Sequence, residues 1–397
     1  MKRYLTTYLP LLIFIQFSCN TKPKTPATTA SADAPEMLVS PAGKDSMLLL
    51  TDRPPNLETP LKYFLEDYTP NNVFFVRWHL SSLPSKVDAD TFRLRINGNV
   101  ATPLELSLQD LKTKFKPYTI TALCQCAGNS RSFFDPRVAG GQWKNGAMGN
   151  AKWTGVKLKD ILELAGAKAN SIDVSFNGLD GPPMDSTPDF VKALHYDHAM
   201  DGEVMIAYEM NGEPLPLLNG YPLKLVVPGW YATYWVGMLS EVQVLGKPFK
   251  GFWMEKAYLV PKNVANGNEK PDSLSKDMEP INKMDVRSLF VSPEPENTIE
   301  IGKATDIQGL AFDGGDGIEK VEISQDSGKT WKPARLDADL GKYSWRRWHY
   351  SFTPAEKGNY VFWVKATNSK GLTQPFHQWN RSGYMRNEIE SLTINAQ

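Results

Sequence analysis

From about residue 48 onward the chain alternates short apolar and polar runs, and few stretches keep a helical period for long. Phe92-Arg93-Leu94-Arg95-Ile96-Asn97-Gly98 alternates with period two and closes on a turn signal, the pattern of a half-buried strand. Leu223-Lys224-Leu225-Val226-Val227-Pro228-Gly229 is mostly apolar and ends in Pro-Gly, which predicts a buried strand running into a turn. Residues 158–165 predict one short amphipathic helix. Strands and short helices mixed in this way over 47–261 predict an α+β domain.

The texture then changes. Residues 262–285 are polar, with Asn, Gly, Lys and Asp, and read as a linker. Residues 286–397 are all-β in pattern, with apolar runs such as Ile307-Gln308-Gly309-Leu310-Ala311-Phe312 and Tyr360-Val361-Phe362-Trp363-Val364 between Asp-Gly and Ser-Gly turns. That spacing predicts an immunoglobulin-like sandwich. Asp313-Gly314-Gly315-Asp316-Gly317 lacks the ligand spacing of a calcium loop and reads as a hairpin turn. At the other end, Lys2 and Arg3 precede an apolar run and Ser18-Cys19, so 1–19 read as a lipoprotein-type export signal with Cys19 as the lipidated residue. Residues 20–46, rich in Thr, Pro, Ala and Ser, read as a flexible tether. The expected location is the periplasm, with membrane attachment only through lipid, although Lys2-Arg3 is not a twin-arginine pair.

Composition narrows the function. At 397 residues the chain is long for one core, in keeping with two domains. Forty-four basic and 44 acidic residues give a formal charge of +0, which argues against a general nucleic-acid binder and leaves room for a local cationic pocket. The three cysteines, Cys19, Cys124 and Cys126, exclude a disulfide scaffold, and without C-x-x-C-H no c-type haem is covalently attached to this chain. Neither nucleotide-binding fingerprint occurs.

The chemistry-bearing stretch is Ala122-Leu123-Cys124-Gln125-Cys126-Ala127-Gly128-Asn129-Ser130-Arg131. It reads as a strand ending in a Gly-Asn turn, with a thiol beside a cation. A nearby Arg favours thiolate, a soft ligand for a transition metal. On the residues alone, both cysteines fit small core positions at least as well. His195 and His198 have helical i, i+3 spacing but no evident third ligand, and read as surface or packing residues.

Gln125-Cys126-Ala127-Gly128-Asn129 with Arg131 resembles the motif of the sulfite oxidase family. Further blocks agree in order: Phe74-Phe75-Val76-Arg77-Trp78-His79, Trp143 with 146–156, Ala207-Tyr208-Glu209-Met210-Asn211-Gly212, 220–231, and Phe252-Trp253-Met254-Glu255-Lys256-Ala257-Tyr258. The resemblance implies a molybdopterin-binding domain followed by a dimerisation domain, with a molybdenum-molybdopterin cofactor. It implies that Cys126 supplies sulfur to molybdenum, and that Arg77, Arg131 and Arg381 form an oxyanion pocket. Tyr258 would assist proton movement coupled to electron transfer, and Trp143 would wall the substrate pocket. Phe75, Val76, Arg77, Trp78, His79, Asp180, Asn219, Lys224, Trp235, Val236 and Gly237 would hold the pterin and its phosphate.

Three departures stand out. Trp78 replaces a common Asn, Asn219 replaces a common His, and Arg381 is one position off the arginine of the animal enzymes. The implied activity is oxidation of sulfite to sulfate by oxygen-atom transfer, with electrons passed to an external acceptor such as a c-type cytochrome and a homodimer through the C-terminal domain. Alternatives are molybdenum chemistry on another sulfur compound, a sulfane or a sulfoxide, and a non-catalytic lipoprotein with an immunoglobulin-like domain.

Overall fold

The structure is a computed structural model and describes residues 37–262, 267–295 and 297–397. The strand carrying Cys124, Tyr118–Gln125, starts half-exposed and ends fully buried. It pairs antiparallel with Met148–Lys157 along its whole length, setting Cys124 opposite Gly149 and Gln125 opposite Met148. A Cβ at 149 would lie 2.6 Å from the Phe74 ring, so glycine there lets that ring close over the strand. Met205–Met210 extends the sheet and in turn pairs with Glu213–Pro214 and Lys224–Val226.

A second sheet runs Lys192–His195, Asp173–Asn177, Glu241–Leu245, Leu94–Gly98, Leu104–Leu106. Only the pairing of Glu241–Leu245 with Leu94–Gly98 is parallel among its ladders. The strands expected near 92–98 and 223–229 are realised as Leu94–Gly98 and Lys224–Val226. The expected helix is Leu158–Leu164, which buries Leu158, Ile161 and Leu162, the i, i+3, i+4 stripe of an amphipathic helix.

The C-terminal region packs two sheets. One runs Arg287–Ser292, Thr305–Phe312, Arg346–Phe352, Arg335–Leu336; the other runs Thr298–Ile299, Glu390–Ala396, Gly358–Asn368, Ile318–Ser324, Lys332–Pro333. Trp348, Phe362, Val364 and Ile394 belong to its buried core.

Three expectations change. The tether was expected to reach 46, but Leu38–Val39 pairs with Met47–Thr51 and Lys44 is buried. The chain from Met37 therefore belongs to the fold; the export signal and residues 20–36 lie outside the described residues. The expected linker is packed rather than free: Met278–Pro280 pairs with Leu259–Pro261, and Ile281 and Met284 are buried. Asp313–Gly317 is not a hairpin turn, because the strands it joins lie in different sheets. Asp313 Oδ1 instead accepts the backbone N–H groups of Gly315, Asp316 and Gly317, which shapes a crossover between sheets. Among the described residues no helix is long and apolar enough to cross a membrane.

Candidate active site

Cys126 follows the last residue of the buried strand, and its backbone is fixed on both sides. Its N–H donates to Ala147 O at 2.9 Å, and its carbonyl accepts from Asn129 N–H at 2.9 Å. Asn129 Oδ1 then accepts from Ala147 N–H at 3.0 Å, so the turn closes on the neighbouring strand's entry. Ser130 sits at φ +68, in the left-handed region, which costs energy for a non-glycine residue unless its surroundings hold it. They do: Ser130 Oγ accepts from Arg287 Nη2 at 2.6 Å.

Cys126 lines a cavity walled by aromatic and apolar side chains with a few convergent polar groups, the usual make-up of a small-molecule site. Arg77, His79, Tyr258 and Cys124 line it with Cys126. So do Phe75, Trp78, Asp180, Asn219 and Lys224, and the run Trp235, Val236, Gly237. Val76 is fully buried and packs with Met47 and Leu57. Arg131, Trp143 and Arg381 are not among the residues that line the cavity.

Arg131 is buried and clamped by the C-terminal region. Its Nε donates to Gly383 O and its Nη1 to Gly141 O, both at 3.0 Å, and its guanidinium lies 4.8 Å from the Tyr384 ring centre. Side chains at Gly128, Gly140 or Gly383 would approach it to 2.6, 2.9 and 2.7 Å. Trp143 is buried beside the same loop, its carbonyl accepting from Ser132 N–H at 3.1 Å. Arg381 turns elsewhere: its Nε and Nη2 hold the two Glu269 oxygens at 3.0 Å each. The expectation that Arg381 completes the oxyanion pocket is not met by these contacts, since a bidentate pair leaves its fork engaged. His195 is exposed, while His198 donates to or accepts from Asp201 at 2.6 Å and stacks on Trp230. No group of three or more metal-ligating His, Cys, Asp or Glu side chains occurs among the described residues.

The groups around Tyr258 share their protons unevenly. Tyr258 sits at φ +59 and is hydrogen-bonded through its hydroxyl to His79 Nε2. Burial pushes the Tyr258 phenol up, against the pull of the Arg77 charge. His79 stacks on Phe190 at 3.7 Å. Burial, then the Arg77 and Lys192 charges, push its imidazole well below the usual range. Neutral His79 and protonated Tyr258 therefore form a donor–acceptor pair at neutral pH. Lys192, which sequence reading missed, donates to Trp253 O at 2.6 Å with its ammonium 5.1 Å from the Tyr258 ring centre; burial lowers it to about 7.

A second group of contacts surrounds Asn219. Asn219 Nδ2 donates to Phe75 O, and its Oδ1 accepts from Lys44 Nζ at 2.5 Å. Lys44 was hidden in the expected tether, yet it backs Asn219, its ammonium also donating to Asn71 O and Phe74 O. Burial, with the Lys224 charge, lowers Lys44 to about 7. Trp78 donates from Nε1 to Leu218 O at 2.9 Å and packs over Gly237.

These residues fit a molybdenum–pterin group. Asp180 Oδ2 and Thr233 Oγ1 face the cavity region buried and without a protein hydrogen-bond partner. Such orphans call for a polar ligand. Burial raises Asp180 to about 7. Lys224, lowered by burial, is a further cation, suited to an anionic phosphate, and Cys126 is a soft donor for the metal.

Comparisons with known proteins agree. The family model described as an oxidoreductase molybdopterin-binding domain matches residues 80–253, and that of a Mo-co oxidoreductase dimerisation domain matches 278–396. The chain is 33% identical to sulfite oxidase of Arabidopsis thaliana, covering 76% of this chain and 79% of that protein. It is 32% identical to sulfite oxidase of Gallus gallus, covering 84% and 75%. Mitochondrial sulfite oxidase of Rattus norvegicus is 33% identical over 87% of this chain, but the match spans only 65% of that protein's length. The crystal structure of the sulfane dehydrogenase SoxCD from Paracoccus pantotrophus superposes with a TM-score of 0.74 at 27% identity, covering 88% of each chain. With two relatives above 30% identity matched over three quarters of their length, and the thiol, cations and orphaned acceptors brought to one cavity, this chain belongs to the sulfite oxidase family of molybdenum enzymes.

Proposed function

We propose that the chain oxidises sulfite to sulfate and passes the electrons to an external acceptor, such as a c-type cytochrome. The observation that carries this reading is the convergence of Cys126, Arg77, His79 and Tyr258 on one cavity. When bound there through Cys126, the molybdenum group supplies oxygen-atom transfer and two-electron redox chemistry. The chain's own part is electrostatic. Arg77 offers a guanidinium fork suited to an oxyanion, and Arg131 adds positive charge close to Tyr258 and Tyr384. Tyr258 holds its proton against His79, an acceptor kept neutral by burial and nearby charge, so the pair passes a proton without carrying net charge. Asn219 and Lys224 would hold the pterin's phosphate, with Lys44 backing Asn219, and Asp180 would face the pterin, with Trp235, Val236 and Gly237 as wall.

Oxidation of a sulfane is the second reading, supported by the sulfane dehydrogenase likeness. It ranks below, because the relatives above 30% identity described here are sulfite oxidases. We read the C-terminal pair of sheets as immunoglobulin-like and as a homodimer contact, in line with the matching dimerisation model. Export with lipid attachment at Cys19 remains part of the same proposal. The test is sulfite-dependent reduction of oxidised cytochrome c or ferricyanide by the molybdenum-loaded protein, with sulfate measured alongside. One sulfate for each pair of electrons is expected. No reduction of either acceptor, or reduction by a sulfane but not by sulfite, would reject the sulfite reading.

A further inference from the structure

The C-terminal region does more than stand beside the catalytic cavity, because the turn at 379–387 reaches into the cysteine loop. Trp379 Nε1 donates to Pro136 O at 2.8 Å, and Met385 N–H donates to Ala127 O at 2.9 Å, one residue after Cys126. The turn is itself stiff. Asn380 is fully buried and bonds both backbone groups of Tyr384, donating to its carbonyl at 2.9 Å and accepting from its N–H at 3.2 Å. Gln378 Nε2 holds Met385 O at 2.9 Å. Gly383 sits at φ +62 with no room for a side chain, since a Cβ would lie 2.5 Å from Val138 and 2.7 Å from Arg131 Nε.

This frame delivers one aromatic ring between two groups of the site. The Tyr384 ring stacks on Tyr258 with centres 5.1 Å apart and planes 17° apart, and the Arg131 guanidinium lies 4.8 Å from its centre. Arg131 has carbonyl partners on Nε and Nη1, which are neutral acceptors. The Tyr384 ring, through its face and its hydroxyl, meets the charge that those carbonyls only partly offset. Arg381, three residues earlier, is held by Glu269 and offers no comparable contact.

We propose that Tyr384 is a positioning residue for the oxyanion site: its ring lies between Arg131 and the cavity-lining Tyr258 and fixes the Arg131 charge behind the cavity wall, so the second domain tunes sulfite binding. Burial raises the Tyr384 phenol, while the Arg131 and Arg77 charges oppose the shift, in keeping with a hydroxyl close to both cations. The inference rests on the sulfite reading. It further assigns the effect to anion binding rather than to turnover.

The experiment compares Tyr384→Leu and Tyr384→Phe in the full molybdenum-loaded chain, with molybdenum content and melting temperature measured for each. Leucine removes the π-face and the hydroxyl; phenylalanine keeps the face. The strength of a cation–π contact of this kind caps the affinity change that its loss can cause at about five- to thirtyfold. Tyr384→Leu is therefore expected to raise KM for sulfite and the inhibition constant of sulfate about tenfold, with kcat within about twofold, a loss of binding shared by ground and transition states. Tyr384→Phe is expected to restore most of that loss. A KM for Tyr384→Leu within about twofold of wild type, or a fall in kcat with KM unmoved, overturns the inference. Where the leucine variant does not fold, Tyr384→Phe decides: a rise in KM beyond about tenfold would show that the ring is not the positioning element. A wild type inert towards sulfite instead removes the functional reading itself, so the two failures are distinct.

Discussion

Replacing Arg287 with leucine tests how firmly the two regions are coupled. Arg287 is buried and directs one nitrogen, Nη2, at three acceptors: Ser130 Oγ at 2.6 Å, Asn145 Oδ1 at 2.9 Å and Glu390 Oε1 at 2.5 Å. The first two belong to the cysteine loop and its neighbour, and the third to the last strand of the C-terminal region. Removing one side of a buried ion pair costs about 3–5 kcal/mol, because the other charge stays desolvated. Here Glu390 keeps Arg386 Nη1 and Asn145 Nδ2, each at 3.3 Å. That points to the lower end, about 3 kcal/mol, or a fall in melting temperature of about 6–12 °C for a domain of this size. Scanning calorimetry of Arg287→Leu reads this directly. Arg287→Leu/Glu390→Leu removes both charges, and its loss is expected to be smaller than the sum of the single losses, since the sites share one network. A single variant melting within about 2 °C of wild type, or strictly additive losses, would refute the coupling.

Two further outcomes follow from the site. Lys44 and Lys192 have folded values near 7 against 10.5 for a free lysine, so between those values the unfolded chain carries protons that the fold does not. Asp180 and Asp285, raised to about 7, act in the opposite sense up to about pH 8; stability of the cofactor-free protein is then expected to rise with pH from about 8 to 9, where Cys124, pushed up to about 12 from 9.0, begins to oppose it. Urea midpoints across that window check it, and a flat or falling profile contradicts the burial argument; Lys44→Met should reduce the slope. Arg381→Ala is expected to change the sulfite KM by less than about twofold, because its fork is held by Glu269; a tenfold rise in steady-state assays would return Arg381 to the oxyanion pocket.

Local pattern revealed what local pattern encodes. Period-two alternation around Leu94–Gly98 and the helical stripe of Leu158–Leu164 were legible, because neighbours in sequence shape those faces. The Cys126 loop was legible through its resemblance. The chemistry that depends on distant chain was not. Lys192 alternates into a strand like any exposed lysine, and only the fold buries it against Tyr234 and Tyr258. Lys44 lay in a stretch whose Pro and Ala content resembles a tether, while its partners are 27 to 175 residues away. Arg381 drew attention by sequence position, but the contact with Arg131 comes from Gly383 and Tyr384, which carry no charge to flag them. The crossover at Asp313 has hairpin composition, and only sheet membership separates the two cases.

The central claim is that Cys126 is the protein's sulfur ligand to molybdenum. X-ray absorption at the molybdenum edge, on wild type and Cys126→Ser loaded in parallel, tests it most directly. The account predicts one fewer sulfur neighbour in the variant, with loss of sulfite oxidation and a retained fold; an unchanged sulfur count with retained activity would contradict it.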